Sequence, residues 1–422
     1  MLLYIVVAFA IFALFNYRMA VFILAPLALF LQMFPVVDKQ VFSVLDCCCI
    51  ALSALLPFKT NFVSKIKTYP FFIPSILVFG SYCLTNVLAE PHWPSTIFVF
   101  NTIYIFPFIV WCVVDEKKDA VQLLSCFMVY FAFCAVYALV EFAFNENVII
   151  VKLLKSRIVN ENVINYTEIR LGFKRLQSIF CTPMSMGLAM VAFAYVMYEY
   201  KKIRNETNLF YICLMAACFI LPWLTGARSV FLPALIIMIP VFFMAFKNGQ
   251  FMLLKIGALG AGVILMGNWV MTLVDSFINS DTAVSGSSLD MRLMQFAVIV
   301  PFFLNSPIWG NGYAYTWSFV KAVDADLLGA ESIWLQILVD FGLVGAMAYI
   351  SCIISMAKCL SKRYGKRGTA MPVAVICAYT LSTFLGLELN YFFILCIMLI
   401  KFQDDLEDDP ENNLAQLEKE NL

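Results

Sequence analysis

The sequence predicts an all-α polytopic membrane protein, and three observations carry that prediction. Of 422 residues, 63% are hydrophobic and 13% charged, with a mean hydropathy of +0.88, well outside the range of soluble domains. Apolar runs long enough to cross a bilayer, about 17 to 25 residues each, recur along the chain. The segments between them are mostly short and polar or basic. Net charge is zero, so there is no basic field of the kind that gathers nucleic acid, and the composition argues against such a partner.

The chain opens on MLLYIVVAFAIFALFNYR, which lacks a basic n-region and an A-x-A cleavage site and reads as a retained first helix over residues 1–16. Further spans are predicted near 20–37, 41–57, 70–89, 97–114, 120–144, 178–199, 207–224, 229–246, 251–272, 332–357 and 371–402, so about twelve transmembrane helices make one domain over 1–402. The last run is long enough for one helix, or for two broken at Glu388-Leu389-Asn390. Fourteen cysteines fall singly or as CCC (47–49) inside apolar runs, and the single histidine is His92. That pattern predicts small buried hydrophobes and no metal site. The acidic tail, 403–422, reads as disordered or as a short surface helix.

Lysine and arginine in short loops set the orientation. KTNFVSKIK (59–67), DEKKD (115–119), YKKIR (200–204), FKNG (246–249) and KCLSKRYGKRG (358–368) all fall on one side by the span count, and that side is expected to be the cytoplasm. The opposite side then receives EPHWPST (90–96), a loop over 145–177, the GAR turn (226–228) and a large loop over 273–331.

Candidate functional residues gather on that second side. Arg157, Arg170, Lys174 and Arg175 precede the seventh span. Arg228 stands alone in LTGARSVFLPALII between two long apolar runs, where an isolated guanidinium is costly without a partner or an anion. Arg292 is the cation of a short helix capped by Ser287 and Asp290, whose Leu289, Leu293, Phe296 and Val300 recur at helical spacing along a membrane surface. NSPIWGNG then breaks that helix. Glu331 and Ser332 stand at the mouth of the next one. Guanidinium groups hold phosphate oxygens bidentately, and a carboxylate among them can take a proton from a hydroxyl. Plainer roles stand beside these. Arg170 and Lys174 suit interfacial anchors reaching for headgroups, and Glu331 suits a helix cap. For Arg228 the ligand role is the stronger.

Four stretches in order carry a family resemblance: RLQSIFCTPMSMG, LTGARSVFLPALI, DMRLMQFAVIVPFFLNSPIWGNGYAY and ESIWLQILVDFGLVG, over roughly residues 170–350. They resemble the motifs of the O-antigen polymerase and ligase superfamily of bacterial inner membranes. The resemblance implies a GT-C-type membrane glycosyltransferase with a large periplasmic loop, acting at the periplasmic face on oligosaccharide carried by undecaprenyl diphosphate. It implies that Arg175, Arg228 and Arg292 hold the substrate diphosphate; beside them the residues themselves suggest Arg170 and Ser332 for substrate binding and Glu331 as catalytic base with Arg228. Ligases of this family usually open the fourth motif with His-Asn; Glu331-Ser332 occupies those positions here, so polymerase is the better match.

The resemblance further implies a membrane-lipid environment, a polysaccharide chain-length regulator as partner, and no cofactor. A diphosphate-linked sugar is already activated, so neither a P-loop nor a metal is demanded. The competing readings are an O-antigen ligase working on lipid A-core and a flippase for lipid-linked sugars. The flippase would line its path with Asp46, Glu141, Asp340 and Glu388.

Overall fold

The computed structural model describes residues 2–36, 42–159, 169–170, 173–204, 208–247, 267, 271, 289–316, 318, 332–380 and 387–407. They form a helical protein; among them the only strands are a two-residue antiparallel pair, β1 (Ile169–Arg170) and β2 (Phe173–Lys174). In chain order the helices are α1 (Leu2–Phe15), α2 (Tyr17–Leu31), α3 (Val44–Lys59), α4 (Phe62–Ile66), α5 (Phe72–Leu88), α6 (Trp93–Phe100), α7 (Phe106–Val113), α8 (Lys117–Phe144), α9 (Val148–Lys155), α10 (Pro183–Arg204), α11 (Leu209–Leu224), α12 (Arg228–Lys247), α13 (Leu289–Asn305), α14 (Ile333–Tyr364), α15 (Ala370–Thr380) and α16 (Leu387–Glu407). A π-helical turn, Asn101–Ile105, joins α6 to α7.

Local chemistry sets many of the starts. Ser43 and Asp46 form a reciprocal capping box on α3, and Glu116 and Asp119 form one on α8. Asn16, Asn147 and Asn208 each accept a backbone N–H in the first turn of the helix that follows. Among the described residues three stretches are long and apolar enough to cross a membrane unaided: Trp93–Val113, Lys117–Phe144 and Ile333–Thr380, and shorter apolar helices accompany them. All fourteen cysteines are free thiols, most of them buried, as their apolar settings predict.

Two sequence expectations are refined. The 371–402 run, open between one helix and two, falls on two helices, α15 ending at Thr380 and α16 beginning at Leu387, and α16 runs through Glu388-Leu389-Asn390 without a break there. The 145–177 loop contains α9, whose signal, VIIVKLLK, was present in the sequence; its Ile150 is fully buried.

Four of the five basic segments collect at one end; FKNG lies partly outside the described residues. Arg18 pairs with Asp119 and donates to Gln122 at 3.0 Å, and Lys65 pairs with Asp115. Lys401 Nζ lies 4.3 Å from the centre of the Trp111 ring and 3.4 Å from the Asp115 carbonyl. Tyr200 meets Phe402 with ring centres 5.2 Å apart, and Arg367 lies 3.7 Å from buried Glu199. Segments 59–67, 115–119, 200–204 and 358–368 are thereby tied together through the end of α16. A reporter fused within residues 280–325 is expected to be active only when exported, and one within KCLSKRYGKRG only in the cytoplasm. The opposite pattern would overturn the placement of every candidate site residue.

One long helix is broken on purpose. Within α14, Gly342 takes φ 65°, ψ −164°, which interrupts the helical ladder. In an apolar setting the released backbone groups must find partners. The segment 307–312 supplies them. Asn311 and Gly312 N–H groups donate to the carbonyls of Val339 and Asp340 at 2.9 and 3.2 Å, while the N–H groups of Leu343 and Val344 donate to Pro307 and Ile308 at 2.9 and 3.1 Å. NSPIWGNG therefore does more than end α13; it is laid into the gap in α14. Gly310, at φ 80°, sits so close that a Cβ would collide with the Asp340 carbonyl. Gly310→Ala is expected to cost more than about 2 kcal/mol from left-handed strain and overpacking, read as a lower thermal midpoint in detergent. Gly80→Ala, where a Cβ meets open space, is the control and should not destabilise.

Candidate functional site

The first motif is held by a carboxylate and an amide upstream of it. Glu141, buried in the last turn of α8, accepts the N–H of Gln177 at 3.3 Å and that of Ser178 at 2.7 Å. Asn147 donates to the Ser178 carbonyl at 2.6 Å, and the Ser178 hydroxyl donates to the Cys134 carbonyl at 2.9 Å. Ser178 adopts φ 51°, a strained value for a residue with a side chain. Four hydrogen bonds over-determine that turn. The Asn145 side chain adds a fifth contact nearby, accepting the Lys174 N–H at 2.9 Å.

The second motif meets the first directly. Arg175, half-buried, donates through Nε to the Thr225 carbonyl at 2.9 Å, and the Leu176 N–H approaches the Leu224 carbonyl at 3.5 Å. The small-residue turn allows this approach. Thr225 is fully buried, Gly226 takes φ 61°, and the Thr225 hydroxyl accepts the Ala227 N–H at 3.3 Å. Arg228 is the first residue of α12, three residues past the carbonyl that Arg175 grips. The amino end of a helix favours an anion, so Arg175 is held beside the turn that starts α12, a point suited to negative charge. The side chain of Arg228 lies outside the described part of the structure.

The third and fourth motifs form a second unit. Asp340, wholly buried on α14, accepts the N–H of Ala314 at 3.1 Å, the N–H of Thr316 at 2.9 Å and the Thr316 hydroxyl at 2.7 Å. Thr85 and the Glu90–Gly312 bridge fix the same loop to α5, with the Thr85 hydroxyl 2.6 Å from the Trp309 carbonyl. Along α13, Leu293 and Phe296 of the predicted apolar stripe are exposed, whereas Gln295 and Ile299 face inward. That arrangement suits a stripe turned toward lipid. Arg292 lies on the first turn of α13 and its side chain is outside the described part, as is the predicted cap Ser287.

Ser332 is the N-cap residue of α14, half-buried, and its side chain makes no capping hydrogen bond. Glu331, the residue before it, lies outside the described residues, so its candidate role is untouched by the geometry. The two units meet on α15, which packs against both α12 and α14, with the rings of Trp334 and Tyr379 6.2 Å apart. By chain direction, α12 and α14 both begin at the end away from Arg367. Arg170 pairs with Phe173 in the β1–β2 hairpin that leads to Arg175, and nothing is described of its side chain.

The carboxylates foreseen for a transport path have other work. Glu141 and Asp340 anchor the first and third motifs, and Asp46 caps α3 while accepting the Thr102 hydroxyl at 2.6 Å. Glu388 lies on α16, its side chain outside the described part. Sequence reading took these acids as a class because an intramembrane carboxylate is a functional candidate by default. The discriminating signal was local. Glu141 closes a long apolar helix just ahead of a polar loop, and Asp340 stands beside Gly342, where a helix break releases loop-facing donors.

Residues 212–350 match a family model described as O-antigen ligase (Wzy_C). The match spans the second, third and fourth motifs and stops short of the first. No curated protein matches the chain significantly.

Proposed function

We propose that the chain, whose residues 212–350 match the O-antigen ligase family model, is a member of the O-antigen polymerase/ligase superfamily and a polymerase of O-antigen or a related surface polysaccharide. Its substrates are repeat units carried on undecaprenyl diphosphate, joined at the periplasmic face of a bacterial inner membrane by a GT-C-type protein of about twelve spans. A chain-length regulator is the partner such a polymer calls for.

In the proposed reaction Arg175, Arg228 and Arg292 grip the diphosphate of the growing chain, with Arg170 and Ser332 binding the substrate beside them. A hydroxyl oxygen of the incoming repeat unit attacks the anomeric carbon of the chain's first sugar. Glu331 takes the hydroxyl proton, the bond from that carbon to the diphosphate oxygen breaks, and undecaprenyl diphosphate leaves with the electron pair. Attack from the face opposite the leaving group inverts the anomeric centre. Arginines fixed where negative charge develops can fill the role a metal would otherwise take.

The observation that carries this reading is the hydrogen bond from Arg175 to the Thr225 carbonyl. It supports a shared anion site because it joins the first motif to the turn that starts the Arg228 helix. The ligase reading, in which finished polysaccharide moves to lipid A-core, is favoured by the description of the matching family. Glu331-Ser332, in place of His-Asn, speaks for the polymerase. Deletion of the gene followed by gel analysis of surface polysaccharide separates them. A core bearing one repeat unit is the expected result, whereas a bare core with lipid-linked polymer accumulating would make the protein a ligase.

A further inference from the structure

Gln177 is fully buried, and neither its Oε1 nor its Nε2 has a hydrogen-bond partner among the described residues. An amide left unpaired in an apolar interior destabilises the fold, and a leucine of similar size would avoid that cost. The residues around it are committed by contrast. Its own N–H and that of Ser178 are taken by Glu141, its carbonyl accepts the Phe180 N–H at 2.9 Å, and Arg175, two residues earlier, is tied to Thr225. The strained turn at Ser178, with φ 51°, aims a rigidly mounted backbone while the carboxamide it carries is left unused. Strain and an unsatisfied group together in an over-anchored segment are what a preorganised binding position looks like.

From this geometry we infer that Gln177 is a sugar-recognition residue, its carboxamide binding the sugar attached directly to the diphosphate of the lipid-linked substrate. The inference rests on the diphosphate grip proposed above for Arg175. Both ends of the amide are orphaned, so the ligand has to offer a donor and an acceptor together. A diphosphate offers acceptors alone, and a polyprenyl chain offers neither. Sugar hydroxyls, or a hydroxyl beside an acetamido group, offer both. The position agrees, since Gln177 lies two residues beyond Arg175, which is proposed to hold the diphosphate. Binding requires neighbouring side chains to part, and no protein hydrogen bond of the amide opposes that movement.

The test compares two probes on purified full-length protein in detergent: undecaprenyl diphosphate, and the same lipid carrying its first sugar. Gln177→Leu is expected to weaken binding of the sugar-bearing lipid by about 10- to 100-fold while leaving undecaprenyl diphosphate binding within about twofold. Its thermal midpoint should equal or exceed that of the parent, because no protein hydrogen bond is lost. Gln177→Glu, which keeps the shape and removes the donor, should show an intermediate loss. Arg175→Ala should weaken both lipids alike. Equal affinity of parent and Gln177→Leu protein for the sugar-bearing lipid would overturn the inference, as would an equal loss for both lipids or a fall in thermal midpoint that marks a structural role. Failure of the parent protein to bind either lipid would instead contradict the diphosphate grip, and the sugar contact with it.

Discussion

Glu331→Gln is expected to lower the rate of polymer formation by roughly 10²- to 10⁴-fold at unchanged protein level, the range in which general bases contribute. The change is isosteric and leaves an oxygen able to accept a hydrogen bond, so a carboxylate that served a helix end would lose at most about 1 kcal/mol of stability. The cap position itself belongs to Ser332, one residue later, and its side chain makes no capping bond. A second variant, Ser332→Ala, therefore should change stability little. The check is polymer formed from purified lipid-linked repeat units by each solubilised variant, with abundance in the membrane measured alongside. Near-normal polymerisation by the Gln variant would end the base assignment and move the search to Asp290 or Asp326, leaving the arginine grip as it stands.

Arg228→Lys should lose most activity, on the order of 10- to 100-fold, although it keeps the charge. An ammonium is a compact point charge, whereas the guanidinium presents a planar fork that meets two phosphate oxygens at once. At the first position of α12 the helix dipole adds to whichever cation stands there, so the difference between the two variants isolates geometry. The measurement is kcat and KM for the lipid-linked repeat unit. A fall in kcat with KM little changed would mark Arg228 as acting on the developing charge of the leaving group. Full activity in a normally expressed Lys variant would return Arg228 to the class of interfacial anchors.

Hydropathy exposed the membrane class and the helical elements, because burial in lipid demands runs of apolar residues whatever the partners. Charge bias groups the basic loops, and the ion pairs that join Arg18, Lys65, Asp115 and Asp119 hold two of those loops at one end. Side chains that hold loops are harder to read. Asp340 and Glu141 each carry a local hint, but what they bind is decided by segments 24 and 37 residues distant in the chain. The union of Arg175 with the Thr225 turn, 50 residues on, needed the fold as well. Gln177 carries no such hint, since an uncharged amide just after Lys174 and Arg175 has no pattern of its own; its unsatisfied burial is visible only once the neighbours are in place.

The central claim, that the chain joins lipid-linked repeat units to one another, is tested most directly by incubating the purified protein in detergent with undecaprenyl-diphosphate-linked repeat units in the presence of EDTA. The predicted result is a ladder of oligomers at integral multiples of the repeat unit, still on lipid, with one undecaprenyl diphosphate released per bond formed. No ladder from those units, together with transfer of preformed polymer onto added lipid A-core, would contradict the claim and identify a ligase.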